Sequence, residues 1–352
     1  MAVVPEGGNT SESAPTASGK KGLGAAVSHL FNREAEISLD DVSSAANEVP
    51  ASRPALTPRM ISLRVSIFPT LAGDAVVLRL MNREDMLLHI DQLGMVEGTL
   101  ALFKRLIAKD YGMVLVTGPS GSGKTTTLYS LLQTMRAKEK NIVTLEDPVE
   151  LRLEDIRQSQ VSGEFTFASG MRSILRQDPD VIMIGEIRDP ETAENAVRAS
   201  LAGRVVLSTI HANTTLGTIP RMIDMHVDRS LIAYSLNGVV AQRLVRKICP
   251  DCRIGYTPHQ EFLAYFKIDP AQQTFTKGAG CEACRHTGFR GRTGLFEVLY
   301  FDDTVQTLII ERAPMKELED YVAKSGIKTL KQDAMEKALA GITTLEEAGK
   351  VV

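Results

Sequence analysis

The eight residues Gly118-Pro119-Ser120-Gly121-Ser122-Gly123-Lys124-Thr125 fit the spacing G-x-x-x-x-G-K-[ST], the pattern of a loop that wraps a phosphate chain. Glycines let successive backbone N–H groups turn inward on an anion. A helix starting at the end of the loop adds its partial positive charge. The lysine of the pattern reaches the terminal phosphates and the hydroxyl after it suits magnesium, so Lys124 and Thr125 take those roles, with Thr126 next along the loop. The pattern carries this meaning only between a strand and a helix. Met113–Thr117 before it is an apolar run the length of one buried strand, and Thr126–Leu132 after it has apolar residues at helical spacing. The chain is therefore expected to bind a nucleoside triphosphate with magnesium.

Hydrolysis of such a ligand needs an in-line water, a group to orient or deprotonate it, and cations to offset charge on the γ-phosphate. In open parallel sheets these groups gather at the carboxyl ends of strands. Three apolar runs end in suitable residues: Asn141–Leu145 leads to Glu146, Asp180–Gly185 to Glu186, and Arg204–Ile210 to His211. Glu146 is the candidate for orienting the water, Glu186 for the magnesium side, and His211 for sensing the γ-phosphate. A second chemistry is written in Cys249-x-x-Cys252 and Cys281-x-x-Cys284, which use every cysteine of the chain. Two such pairs give four thiolates, the complement of a closed tetrahedral zinc site with no open position, so the site is expected to be structural.

These residues need elements to hold them. Near-continuous apolar runs alternating with helical segments predict an α/β fold with a mainly parallel sheet covered on both faces. Asp189-Pro190-Glu191 starts a helix with an N-cap and a proline at its first position, and Gly203 closes it. Upstream, Ile61–Ile67 and Ala75–Met81 read as two strands joined by a turn over 69–74. Residues 1–56, rich in Gly, Ser, Ala, Pro and Thr, read as disordered apart from one short helix over 22–31. Domains are expected at 57–95 (the hairpin, a partial N-terminal domain), 96–245 (the nucleotide-binding core), 246–290 (the cysteine element) and 291–352 (a helical region). The helical region comprises 304–323, 330–339 and a last helix behind a capping box at Thr343–Glu346.

Composition narrows the function. A net charge of −3 and an aromatic content of 5% argue against a nucleic-acid partner. No apolar run approaches the roughly 20 residues of a membrane-spanning helix. Met1–Glu6 has neither the basic nor the apolar part of a signal peptide, which points to the cytoplasm.

Several motifs then line up in one order: Gly118–Tyr129, Thr144–Glu150, Leu175–Asp189, Leu207–Asn213, Gln242–Cys249 and Cys284–Glu297. Together they closely resemble the ATPases of the type II secretion and type IV pilus assembly family, over about residues 60 to 350. The first four look like that family's Walker A, aspartate box, Walker B and histidine box. The last two look like the segments around its tetracysteine zinc element. The resemblance implies a RecA-like P-loop NTPase core, ATP, Mg2+ and Zn2+ as cofactors, and a homohexameric motor at the cytoplasmic face of the inner membrane. Such a motor works on a polytopic platform protein to move pilin-like subunits. It also implies that Glu146 is the catalytic glutamate and Glu186 the Walker B acid, and that Arg64 and Arg79, which match two arginine motifs of the family's N-terminal domain, reach the nucleotide. Residues 1–60 lack the two motifs that precede this hairpin in the family. Two other readings stand beside the motor: an ATP-binding member that does not assemble, and a nucleic-acid motor on the same core.

Overall fold

The computed structural model describes residues 35–37, 61–82, 86–136, 140–269 and 273–352, and the chain divides into two units, 1–83 and 84–352. In the first unit β1 (Ala35–Ile37), β2 (Ile61–Thr70) and β3 (Gly73–Asn82) make an antiparallel sheet in that order. The β2–β3 hairpin is longer and its turn tighter than the sequence suggests. The Thr70 hydroxyl donates to the Gly73 carbonyl at 2.6 Å and accepts from the Ala72 N–H at 3.3 Å, and Gly73 takes φ +116°, which a side chain would strain. Arg64 and Arg79 stand directly opposite each other in the register. Apart from Ala35–Ile37, the stretch read as disordered and its short helix lie outside the described residues.

The second unit carries β4 (Gly112–Thr117), β5 (Ile142–Glu146), β6 (Arg157–Gln160), β7 (Val181–Ile184), β8 (Val205–Ile210), β9 (Leu236–Ile248), β10 (Arg253–Tyr256), β11 (Phe275–Gly278) and β12 (Phe289–Tyr300). Seven of these form one sheet in the order β12-β9-β4-β8-β7-β5-β6, parallel throughout except for β12 against β9, while β10 and β11 make a separate antiparallel ribbon. Every residue of β4, β5, β7 and β8 is buried. Alternate side chains serve two cores, because successive Cβ atoms on a strand point to opposite faces. Met113 and Leu115 join Val143, Ile182 and Val206 on one face, and Val114 and Val116 join Ile142, Met183 and Leu207 on the other.

The helices are α1 (Glu97–Ile107), α2 (Lys124–Arg136), α3 (Phe167–Ile174), α4 (Pro190–Leu201), α5 (Thr218–Asp224), α6 (Arg229–Ser235), α7 (Gln260–Phe266), α8 (Asp303–Ile310), α9 (Met315–Lys324), α10 (Leu330–Leu339) and α11 (Leu345–Gly349). Phe103 and Leu106 of α1 and Leu128, Leu131 and Leu132 of α2 cover one face, and α3, α4, α5, α6, α8 and α9 cover the other. α4 starts as its sequence requires: Asp189 accepts from the Thr192 N–H at 2.9 Å, Pro190 takes the first position, and Gly203 follows the last turn at φ +90°.

Three features depart from the sequence reading. Strands β9 and β12 extend the sheet on the far side of β4, so residues 291–300 are strand rather than part of a helical region. The 304–323 segment is two helices, because Pro314 has no N–H to donate and Arg312 turns the chain at φ +58°. The last helix is capped one residue later than expected: Thr344, not Thr343, accepts from the Glu347 N–H at 3.1 Å. The Glu347 carboxylate pairs with the Arg246 guanidinium through two bonds of 2.7 Å instead of closing a capping box.

β12 is an edge strand, and α10 caps its free side. The Phe296 N–H donates to Asp333 at 2.8 Å, and Lys337 donates to the Gly294 carbonyl at 2.7 Å and to Asp333 at 2.6 Å.

Candidate active site and metal centre

The strand ends bring the expected residues together. A cavity of about 270 Å³ is lined by Ser120, Gly121, Lys124 and Thr125 from the loop after β4, by Glu146, Asp147 and Glu150 after β5, by Glu186 and Arg188 after β7, and by Thr209 and His211 at the end of β8. The loop is shaped by positive φ at Gly118 (+149°), Gly121 (+77°) and Gly123 (+89°). Two of these glycines pack on β9. A Cβ on Gly118 would collide with the Gln242 carbonyl oxygen, and one on Gly123 would lie 2.8 Å from Gln242 Nε2. Gln242 in turn accepts from the Thr127 hydroxyl at 2.7 Å inside α2. The strand that the sequence reading passed over is thus the wall of the phosphate loop.

Lys124 folds back on its own loop, donating to the carbonyls of Gly118 at 2.8 Å and Pro119 at 3.0 Å. Burial pushes its ammonium below the usual lysine range, and the nearby Glu186 carboxylate opposes that shift. The Ser122 hydroxyl, buried within the loop, has no hydrogen-bond partner among the described residues. Pro119, Thr126 and the remaining loop residues follow the same turn into α2.

Glu186 lies between Arg188 and His211. Arg188 forms an ion pair with one carboxylate oxygen and His211 Nε2 stands 3.4 Å from the other. That contact raises the guanidinium pKa of Arg188. The His211 segment is tied to the loop strand: Thr117 Oγ1 donates to the carbonyls of Ile210 and Ala212 and accepts from the Ala212 N–H at 2.8 Å. Glu146 is almost wholly buried, at 3% exposure. Its Oε1 accepts from Thr144 at 2.6 Å and Gln158 at 3.1 Å, and its Oε2 from Tyr129 at 2.5 Å. Burial raises its carboxyl pKa and these donors draw it back. Arg64 and Arg79 belong to the hairpin of the first unit.

Thr125 and Glu186 both line this cavity and offer hydroxyl and carboxylate oxygens, the hard donors that Mg2+ prefers. The cysteines make a different set. Their four sulfurs lie within 4.8 Å of one another, with Cys249–Cys281 and Cys252–Cys284 at 3.9 Å and Cys281–Cys284 at 3.8 Å. A tetrahedron with Zn–S bonds of about 2.3 Å has edges of about 3.8 Å, so the donor set fits zinc. The pairs are unbridged thiols. Backbone N–H groups of Cys281 and Gly288 point at the Cys284 sulfur at 3.2 and 3.3 Å, which favours its thiolate. The knuckles sit at the ends of β9 and β12, so the cluster is mounted on the strand that walls the phosphate loop.

Sequence reasoning missed Tyr129, Thr144, Gln158, Arg188 and Gln242. Tyr129 and Gln242 carried a signal: each places a polar atom in a run that otherwise reads as buried, so each must have a partner.

The family model for "Type II/IV secretion system protein" matches residues 53–350. The type II secretion system protein E of Pseudomonas aeruginosa is 45% identical over 296 residues, covering 83% of this chain and 59% of that protein. The type IV pilus assembly ATPase PilB of Thermus thermophilus is 41% identical over 292 residues, covering 82% and 33%. The chain thus spans under two thirds of these relatives. Among solved structures, the pilus retraction motor PilT with bound ADP superposes at a TM-score of 0.61 and 26% identity, over 93% of this chain and 79% of that one. On sequence and fold together, the chain belongs to the type II/IV secretion system protein family.

Proposed function

We propose that this chain hydrolyses ATP, and that the hydrolysis drives assembly of pilin-like subunits for type II secretion or type IV pilus formation. One observation carries the reading: Lys124, Thr125, Glu146, Glu186 and His211, from four strand ends, line a single cavity. In this reading the loop N–H groups and Lys124 hold the phosphates. Thr125 and Glu186 hold Mg2+, which supplies charge neutralisation when bound. Glu146 orients the attacking water, and His211, already beside Glu186, registers the γ-phosphate. Arg64 and Arg79 add cationic charge to the nucleotide. The four cysteines hold zinc as a structural brace. The chain acts as a hexamer of its own kind on a platform protein at the cytoplasmic side of the inner membrane. The relatives named for secretion and pilus assembly support this, and among the described residues no helix is long and apolar enough to cross a membrane.

The test compares wild type with Glu146→Gln for nucleotide binding and phosphate release, with size measured in the presence of ATP. Wild type should turn over and assemble, while the variant binds ATP but releases phosphate about 100-fold more slowly or worse, the usual scale for a lost general base. Unchanged turnover in the variant would remove Glu146 from its role. A wild type that neither binds nor hydrolyses ATP would end the reading altogether.

A further inference from the structure

We propose that Tyr129 is a positioning residue for hydrolysis, fixing the Glu146 carboxylate and the chain at 150–151 in one arrangement from the phosphate-loop helix. The inference rests on the ATP-hydrolysis reading above. Tyr129 is fully buried in α2, which begins at Lys124. Its hydroxyl uses its whole bonding capacity. It donates to Glu146 Oε2 at 2.5 Å and accepts from the N–H groups of Glu150 at 3.2 Å and Leu151 at 3.3 Å.

The other two donors to Glu146 come from the sheet itself. Thr144 lies two residues back on β5, and Gln158 on the neighbouring β6, where it also donates to the Leu151 carbonyl at 3.0 Å. They hold Glu146 relative to the sheet and carry no information about the phosphate loop. Tyr129 is on the same helix as Lys124 and Thr125, so any shift of that helix moves the donor that sets Oε2. A phenylalanine would fill the same apolar space, so the hydroxyl has a role beyond packing.

The charged groups around the carboxylate are known. Glu150, on the loop that Tyr129 holds, adds negative charge, and Lys124, Asp147, Glu186, Arg188 and His211 line the same cavity. Losing the phenol removes one donor that stabilises the ionised carboxylate, so the group would ionise at higher pH.

The experiment measures kcat and KM for ATP across the pH range with Tyr129→Phe, Glu146→Gln and the double variant, each checked for thermal stability and nucleotide affinity. Tyr129→Phe should keep ATP affinity within about twofold, lower kcat about tenfold, and move the acid limb of kcat up by about one pH unit, the scale of one lost hydrogen bond to a charged group. Added to Glu146→Gln, it should cost little more, because both act through one carboxylate. An unshifted acid limb, or a loss that simply adds in the double variant, would overturn the proposal and leave Tyr129 a packing residue. An inactive wild type would instead refute the ATP-hydrolysis reading, and this inference with it.

Discussion

Replacing both members of the Asp333–Lys337 pair with apolar residues should destabilise this protein, against the usual behaviour of buried ion pairs. The side chains are 1% and 2% exposed. Burial holds the Lys337 ammonium below its ordinary range, with Asp333 opposing the shift. Exchanging such a pair for well-packed apolar residues is often neutral or stabilising by about 1–4 kcal/mol, because two desolvated charges are removed. Here the pair also satisfies the backbone of an edge strand, at the Phe296 N–H and the Gly294 carbonyl. In Asp333→Leu/Lys337→Met both groups remain buried without partners, at about 1–3 kcal/mol each. The net loss should be about 2–4 kcal/mol, or a fall of about 5–15 °C in Tm for a domain of this size. Lys337→Met alone should lose about 3–5 kcal/mol, since the Asp333 charge then stands uncompensated. Urea unfolding with matched slopes, supported by calorimetry, measures both. A double variant as stable as wild type would refute the idea that the pair exists to close the sheet edge.

Two further outcomes follow from the site. The purified protein should carry one zinc per chain, and Cys284→Ser should lose the metal and lower Tm, since a structural site contributes its binding energy to folding; full zinc in that variant, measured by elemental analysis, would count against four thiolate ligands. Gly118→Ala should weaken ATP binding by about tenfold or more, about 1.4 kcal/mol, because the φ of +149° and the Gln242 carbonyl leave no room for a methyl group; an unchanged Kd by titration would show that the loop adapts.

The parts of this fold that could be read from sequence are those where one local rule decides. The phosphate loop has a strand before it, a helix after it and glycines at the turns, and α4 has its cap, its proline and its closing glycine. Glu146, Glu186 and His211 were legible because parallel strands put their last residues on one rim. What escaped depends on long-range partners. β9 mixes Asn237, Gly238, Gln242 and Arg243 with apolar residues, and only its place between β4 and β12 explains them. The pinned state of Glu146 depends on Tyr129 and Gln158, whose partnership appears only when α2 and β6 close on β5. The shifted cap of α11 has the same origin, because the Thr343 hydroxyl is taken up in donating to the Arg246 carbonyl of β9 at 2.8 Å.

The cysteine knuckles bear on how this protein can change over evolutionary time. They bring the two ends of the 253–278 segment side by side, with the Ala279 N–H donating to the Cys252 carbonyl at 2.8 Å. A segment closed at its root can grow or shrink cheaply, since doubling a flexible loop costs only about 0.6 kcal/mol in closure entropy. Provided Leu263, Phe266 and Phe275 still fill the small core against α10 and α11, the surface of this subdomain can be rewritten while β9 and β12 keep their register. The closed root therefore leaves the head of this subdomain able to acquire new contacts without disturbing the loop after β4.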